Sequence, residues 1–498
     1  MQANAPAFKP ALSLLDATML VAGSMIGSGI FIVSADITRN VGSSGWLLLV
    51  WLLTGFMTLT AALSYGELSG MFPRAGGQYV YLKEAYNPLI GFLYGWSFFS
   101  VIQTATIAAV GVAFAKFAAY LIPAFSEDIV AGDLGFFTVS RAQLLSIAVI
   151  VLLTFINTRG VKTGKTLQTS FTLTKLVSLF GLLIFGLLAF DSNTWALNWS
   201  NAWRLQPLQT GGGVGDYTLF AAMGAIAAAM VGSIFSSDSW HNVAFVAGEI
   251  KHPKRNIGLS LFAGTLIVTL LYLATNIIYT AVLPLQEIAT ADKDRVAVAA
   301  SQVIFGPAGT IIIALMIMVS TFGCNNGLIM AGARVYYTMA SDGLFFKRAG
   351  ELNKAAVPAF ALWIQCVFAC CWSLSGKYGD LLDMISFVVV GFYMLTIAGI
   401  FILRKKRPDA ERPYRAFGYP VLPILYILMG LAFCILLIIY KPRFTWPGLL
   451  IALAGIPVYY LVIGRGHRKA GGSTTGHKAA GSRVINSGLT NDSVMAGK

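Results

Sequence analysis

Charge is scarce in this chain. Of 498 residues, 11% are Asp, Glu, Lys or Arg and 57% are apolar, whereas a soluble protein of ordinary composition carries roughly 25% charged residues. That shortage, with a mean hydropathy of +0.73, excludes a water-soluble domain and points to a polytopic membrane protein. Cysteine is missing wherever it could form a disulfide framework. Cys324, Cys366, Cys370, Cys371 and Cys434 all fall inside apolar spans and the loops contain none. No histidine or carboxylate lies beside Cys366, Cys370 and Cys371, so they read as small packing residues, and no metal or cofactor is expected. Only four histidines are present. His241 alone sits at midspan, and neither an HExxH motif nor a nucleophile elbow accompanies it, which argues against an intramembrane enzyme. The alternating ten-residue segments of a membrane barrel are also lacking. No signal-peptide cleavage site follows the first apolar stretch, Leu14 to Val33, so that stretch is read as a span.

What is present is a succession of about twelve apolar segments of helical length, near 14–36, 45–69, 89–122, 142–158, 167–190, 217–247, 257–283, 307–340, 357–375, 380–403, 420–440 and 445–464. The formal charge is +14. It collects in alternate connections: Arg159/Lys162/Lys165, Lys251/Lys254/Arg255, Lys347/Arg348/Lys354, and Arg404–Arg407 with Arg412 and Arg415. The opposite loops hold acids such as Glu127, Asp128 and Asp133. This is the positive-inside pattern, so the basic balance marks a cytoplasmic face and not a nucleic-acid partner. An even number of spans places both termini in the cytoplasm of a multi-pass protein of the plasma (inner) membrane. Residues 71–87 read as a cytoplasmic loop with a short interfacial helix ending at Asn87-Pro88. Residues 1–13 read as a cytoplasmic N-terminus and 14–464 as one membrane domain. The Gly/Ser/Ala/Lys-rich tail from 465 lacks apolar periodicity and is expected to be disordered.

Two spans are interrupted. Residues 23–31, Gly-Ser-Met-Ile-Gly-Ser-Gly-Ile-Phe, break the first span, and Gly232 to Asn242, with polar residues from Ser236 to Ser239, break the sixth. Open backbone is tolerated in a bilayer only where it lines a cavity. Breaks five spans apart point to two inverted five-helix repeats with a site at their interface. The fold expected is therefore all-α, with about twelve transmembrane helices, a five-plus-five inverted repeat and discontinuous first and sixth helices. At the first break, the free N–H groups of Gly27, Ser28 and Gly29 suit a carboxylate. At the sixth, carbonyls around Phe235 to Ser237 suit an ammonium. Together they fit a zwitterionic α-amino acid. The alternative for the first motif is a small-residue packing face, with Gly23 and Gly27 at the required spacing.

The candidate substrate-binding residues are Ser24, Met25, Ile26, Gly27, Ser28 and Gly29 at the first break, and Phe235, Ser236, Ser237 and Asp238 at the second. Phe235 reads as an aromatic gate, or else as ordinary packing. Asp238 could attract a cationic side chain, pair with His241, or cap the outer half-helix. Lys175 lies ten residues beyond Lys165, about 15 Å along a helix, too deep to snorkel. It should meet carbonyls or hydroxyls inside the protein, with Ser320 and Thr321 in the eighth span as plausible partners, and tie helices together as a sodium ion would. Proton coupling at this lysine is the other possibility. Lys116 and Arg334 lie near span ends, where snorkelling explains them. Asn325 and Asn326 either line the cavity or bond between helices.

The Gly23–Phe31 stretch resembles the first-helix motif of the amino acid–polyamine–organocation superfamily. Pro73-Arg74-Ala-Gly-Gly-Gln-Tyr79-Val-Tyr is similar to the loop after the second helix, and Trp240 to Asn256 to the sixth helix and the loop behind it. Ser320-Thr-Phe-Gly-Cys-Asn-Asn-Gly327 is similar to the eighth helix of the L-type amino acid transporter branch. The resemblance covers nearly all of 12–464. It implies a broken-helix five-plus-five fold, amino acid uptake or exchange, substrate contacts on Gly27, Ser28, Gly29 and Phe235, and a sodium-replacing lysine at Lys175 near Ser320. Animal members carry a cysteine in the loop after the third helix for a heavy-chain partner. Residues 123–141 have none, which implies a stand-alone protein of prokaryotic type. Neutral amino acid carriers of the branch have small or apolar residues near position 238, so Asp238 is a departure. The expectation is a sodium-independent antiporter of neutral L-amino acids working by alternating access. The alternative is a proton-coupled or cationic amino acid or polyamine transporter. A non-transporting sensor is the third class, and it would show no counterflow.

Overall fold

The computed structural model describes residues 10–133, 138–208, 218–375 and 378–463. Ten helices among them are long and apolar enough to cross a membrane, and two shorter apolar helices, Leu14–Met25 and Ala359–Ser375, accompany them. The first half runs α1 (Leu14–Met25), α2 (Ser34–Val41), α3 (Ser44–Met71), α4 (Gln78–Ala85), α5 (Pro88–Ser97), α6 (Gln103–Leu121), a hairpin of β1 (Val130–Asp133) and β2 (Thr138–Ser140), α7 (Arg141–Thr158), α8 (Val161–Leu188) and α9 (Ser192–Trp199). The second runs α10 (Leu219–Ser236), α11 (Asn242–Phe245), α12 (Pro253–Val282), α13 (Leu285–Ala289), α14 (Val296–Ser341), α15 (Ala359–Ser375) and α16 (Tyr378–Lys406), followed by α17 (Val421–Tyr440) and α18 (Pro442–Val458). Residues to Ile456 form one compact unit; those from Pro457 fall in a second, which opens with a π-helical turn, Tyr459–Ile463. The tail from 465 and residues 1–9 lie outside the described residues.

The packing comes in swapped pairs. α3 lies along α12, α6 along α14 and α7 against α15. α1 packs on α8 and α12, while α10 packs on α16 and α3. α8 meets α12 and α14, and α16 meets α3 and α6. Exchanging each of the first five spans for its counterpart among the next five turns each contact into another contact in the set, as a two-fold relation between the halves requires. Because five is odd, the second half starts from the opposite side, so the axis lies in the membrane plane.

Local chemistry sets the element ends. Ser13 and Asp16 close α1 with a reciprocal capping box, and Asn87 caps α5 with Pro88 in its first turn. The third span is continuous from Pro88 to Leu121 but widens into a π-turn at Phe98–Ile102, whose freed Ser100 carbonyl accepts from Trp372 Nε1 at 2.8 Å. The eighth span begins earlier than the apolar pattern indicates and kinks at Gly306, φ 67°, before Pro307. α8 likewise starts at Val161, not 167. α4 is where the sequence places a short helix, yet it is not an interfacial one. Tyr79, Tyr81 and Leu82 are fully buried, and Gln78 Nε2 donates to Thr396 on α16 at 3.0 Å. On the side away from the N-terminus, Lys293 bonds both carboxylate oxygens of Asp128 and holds that carboxyl below the usual range.

Candidate functional site

Both expected breaks are present, and they meet. α1 stops at Met25; Ile26 to Ser28 are non-helical, and a single 3-10 turn at Gly29–Phe31 leads to α2. α10 stops at Ser236, and the chain turns at Ser239, φ 65°, before α11. Neither Gly27 nor Gly29 has a left-handed φ; what they supply is close approach. A Cβ on Gly29 would collide with Ser236, 2.6 Å from its Cβ and 2.9 Å from its Cα, and one on Gly27 would lie 3.1 Å from Cys324 Sγ. Glycine at 29 lets the two opened backbones touch, and glycine at 27 leaves room for the Cys324 thiol of α14.

The accounting of the opened backbone is specific. An orphaned amide group in hydrocarbon costs several kcal/mol. The last helical bond of α1 runs from the Ile26 N–H to Ala22 O at 2.9 Å, and the carbonyls of Gly23, Ser24 and Met25 follow it without helical partners. Gly23 O accepts Lys175 Nζ at 2.6 Å. Ser24 O accepts the Cys324 thiol at 3.5 Å. Met25 O accepts the Tyr272 hydroxyl at 3.0 Å, and that same oxygen reaches Ser236 O at 3.1 Å. Among the described residues, the N–H groups of Gly27 and Ser28 have no backbone acceptor. The first break therefore has satisfied carbonyls and free donors, the polarity that receives an anion.

Lys175 is fully buried on α8, as its depth in the sequence requires. Its hydrogen bond goes to the Gly23 carbonyl and not to the eighth-span hydroxyls. Thr321 Oγ1 bonds the Ile317 and Met318 carbonyls of its own helix, and Ser320 Oγ has no partner among the described residues. Tyr272 is the residue that sequence reasoning missed. It belongs to a stripe on α12 with Asn276 and Tyr279, which receive Ser34 Oγ at 2.7 Å and bond Ile30 O at 3.2 Å respectively. The spacing i, i+4, i+7 of hydroxyl and amide side chains in an apolar helix was the available signal.

A narrow cavity, with room in this conformation for about one water molecule, joins the two breaks. Ser24, Met25, Gly27, Ser28, Gly29, Phe235, Ser236 and Asp238 line it, together with Thr106, Val110, Ser239, Cys324 and Leu328. Of the remaining sequence candidates, Ile26 is wholly buried outside this lining and Ser237 lines a neighbouring cavity with Asp238 and Tyr393. Phe235 closes one end: its ring meets Tyr378 edge-on at 6.0 Å, and the Tyr378 hydroxyl lies 3.0 Å from Ser28 Oγ. Lys116 does not simply snorkel, for its ammonium sits over the Tyr378 ring at 5.6 Å. Trp240, which lines the neighbouring cavity, packs between Tyr65 and Tyr393, at 4.7 and 5.3 Å between centroids. Arg334, also read as snorkelling, is buried in an ion pair with Glu249 at 2.8 Å.

The remaining expectations divide. Cys324 is more than packing, since it lines the cavity. Asn326 takes an interhelical bond from Asn157 at 2.8 Å, and neither Asn325 nor Asn326 lines the cavity. Asp238 does not cap a half-helix: the half that follows it is α11, which has no side-chain cap. Its carboxylate instead accepts from the Tyr393 hydroxyl. No group of three or more potential metal ligands gathers among the described residues.

A family model described as amino acid permease matches residues 12–463. The serine/threonine exchanger SteT of Bacillus subtilis is 30% identical over 91% of this chain and 96% of its own length. The human large neutral amino acids transporter small subunit 2 is 28% identical, over 91% of this chain and 81% of its own. The human b(0,+)-type amino acid transporter 1 is also 28% identical, over 91% and 88%.

Proposed function

Because this chain belongs to the amino acid permease family over residues 12–463, a multi-pass membrane transporter of amino acids, we propose that it exchanges small neutral L-amino acids across the plasma membrane without sodium, with both termini in the cytoplasm. The observation that carries the reading is the cavity between the two breaks. Its one wall offers the free N–H groups of Gly27 and Ser28, and its other wall is the carbonyl end of α10. An α-carboxylate and an α-ammonium held against these walls leave the side chain among Ser24, Thr106, Ser236, Ser239 and Cys324. Those small polar groups suit alanine, serine or threonine, in keeping with a relative named a serine/threonine exchanger.

The carbonyl accounting supports sodium independence. Gly23 O, Met25 O and Ser236 O are opened carbonyls that could hold a cation, and each already accepts a hydrogen bond, from Lys175 or from the Tyr272 hydroxyl that Met25 O and Ser236 O share. A tethered donor fixes the breaks in every cycle, so no bound cation is required. Alternating access then rocks the elements bearing the breaks against the remaining helices, with Phe235 and Tyr378 parting to admit substrate. The loop between α6 and α7 has no cysteine, so a disulfide-linked partner is not part of the reading. Asp238 is already engaged by Tyr393, which disfavours it as the anchor of a cationic substrate.

Purified protein in liposomes tests this. Labelled serine uptake should require serine or alanine inside and be unchanged when choline replaces sodium. Uptake that needs sodium, or that runs equally well into empty vesicles, overturns the proposal.

A further inference from the structure

Three buried side chains at the sixth break take no part in the amino acid site beyond the edge of one of them. Tyr393, on α16, donates its hydroxyl proton to Asp238 Oδ1, and its oxygen lies 2.7 Å from His241 Nδ1. With the phenolic proton on Asp238, the bond to the histidine has Nδ1–H donating to the phenol oxygen. The result is one hydrogen-bonded chain, imidazole to phenol to carboxylate. Asp238, His241 and Tyr393 are 7%, 4% and 5% exposed.

Asp238 borders the amino acid cavity. At the far end of the chain, His241 and Tyr393 face Gln78 and Tyr94 across a seam too tight for a water molecule in this conformation. The Tyr94 hydroxyl at that seam is buried and has no hydrogen-bond partner among the described residues.

Asp238 has no countercharge. The titratable groups around it are Tyr393 from α16, Tyr94 from α5, Tyr426 from α17 and His241, with Tyr65 of α3 packed behind Tyr393. Among the described residues no lysine or arginine pairs with it. Glu67, buried in α3, shows the opposite arrangement: Arg404 grips both its oxygens at 3.0 and 2.7 Å, Arg412 lies at 3.4 Å and the Ala416 N–H adds a third donor. An acid clamped by arginines is a structural anchor. Asp238 is held by a phenol and the Ser239 N–H, with the imidazole 3.9 Å away and no cation among the described residues, and an ionisable group so placed inside a membrane marks a functional site.

We propose that Asp238, Tyr393 and His241 form a proton-binding relay, and that a proton is a second transported ion, carried at the sixth break beside the amino acid. Loading is a concerted shift. A proton arriving from the Gln78 and Tyr94 side as that seam opens adds to His241 Nε2, Nδ1 passes its proton to the Tyr393 oxygen, and the Tyr393 hydroxyl passes its own to Asp238 Oδ1. The carboxylate becomes a carboxylic acid, the tyrosine is unchanged and the histidine ends as its other neutral tautomer, so the charge of the site rises by one. Unloading reverses each transfer. The coupled movement rests on the transporter reading; the proton site itself does not.

The test has two arms. Infrared titration of purified protein should show a carboxylic C=O band at acid pH that is lost on alkalinisation, is absent from Asp238→Asn, and titrates at a shifted pH in Tyr393→Phe and His241→Gln. The shift in Tyr393→Phe carries this arm should Asp238→Asn fail to fold. In liposomes holding a pH-sensitive dye, alanine exchange should collapse an imposed acid-outside gradient several-fold faster than in amino-acid-free vesicles, and Tyr393→Phe should lose that acceleration. A wild-type protein with no titrating band attributable to Asp238, or exchange that leaves the gradient as it is without amino acid, overturns the proposal. A titrating band in a protein that exchanges no amino acid would sink the function proposed above and leave the proton site standing.

Discussion

The two breaks look alike in sequence, yet they are held in different ways. At the end of α1, the three carbonyls beyond the last helical bond are satisfied by side chains from elsewhere: Lys175 of α8, Cys324 of α14 and Tyr272 of α12. At the end of α10, the chain mostly satisfies itself. Ser236 Oγ returns to Gly232 O, the Ser237 N–H to Ser233 O and the Asp238 N–H to Phe235 O. Tyr272 is the donor common to both, through Ser236 O. The first break is thus pinned from outside, whereas the sixth keeps its form by local bonds and shares with the first the Tyr272 hydroxyl and the Tyr378 bridge between Ser28 and Phe235. Motion of one break relative to the other disturbs Tyr272, Tyr378 and the Gly29–Ser236 contact.

The largest effect tests that contact. Gly29→Val places a branched side chain where the Ser236 backbone already lies within 2.9 Å of a single Cβ, so the breaks must separate. Transport should be abolished while the protein remains inserted and monodisperse in detergent. Normal transport by this variant would falsify the claim that the breaks work in contact.

Next comes the pin. Lys175→Met keeps the buried volume but leaves Gly23 O without its charged donor. A hydrogen bond to a charged group is worth roughly 1.5–3 kcal/mol, so exchange should fall roughly tenfold to a hundredfold. Because Lys175 touches only the first break, the Asp238 infrared band should be unmoved. A shifted band would mean that the breaks are not independently held.

Tyr272→Phe should cost less, about fivefold in exchange, since it removes one neutral hydroxyl whose single proton is shared between two carbonyls, about 1 kcal/mol in all. It reaches both breaks, so here the infrared band should respond. The comparison is wrong if Lys175→Met and Tyr272→Phe perturb the sixth break equally.

What the sequence made legible is what lipid makes compulsory. Free backbone at midspan is so expensive that Gly27-Ser28-Gly29 and Ser236–Ser239 had to mark a cavity, and a lysine as deep as Lys175 had to turn inward. Its partner was not legible, because Gly23 contributes a carbonyl and every residue has one. Tyr272 was hidden for a related reason: a tyrosine in an apolar span is ordinary until its stripe with Asn276 and Tyr279 faces something. Which of the three partners Asp238 would take was not legible, because α11, the short half-helix it precedes, has its own start at His241, while the hydroxyl that bonds the carboxylate lies 155 residues away on α16. The fold followed from the spans and their breaks. The bonds that close the site depend on which helices become neighbours, and that is set by the packing of the two halves.

The smallest effect examines the edge of the first break. A Cβ at Gly27 would lie 3.1 Å from Cys324 Sγ, a tight contact with a side chain that can give way a little. The Cys324 thiol is not free to leave without cost, because it satisfies Ser24 O. Gly27→Ala should therefore raise the KM for serine by a few-fold with little change in kcat, since it narrows the carboxylate side of the cavity without opening the breaks. Cys324→Ala alone should weaken exchange slightly through the lost thiol bond, worth at most about 1 kcal/mol. Together the two substitutions relieve the clash, so the double variant should have a lower KM than Gly27→Ala by itself, a coupling that a double-mutant cycle reads directly. Additive effects would place Gly27 and Cys324 out of contact and move the carboxylate wall away from the thiol.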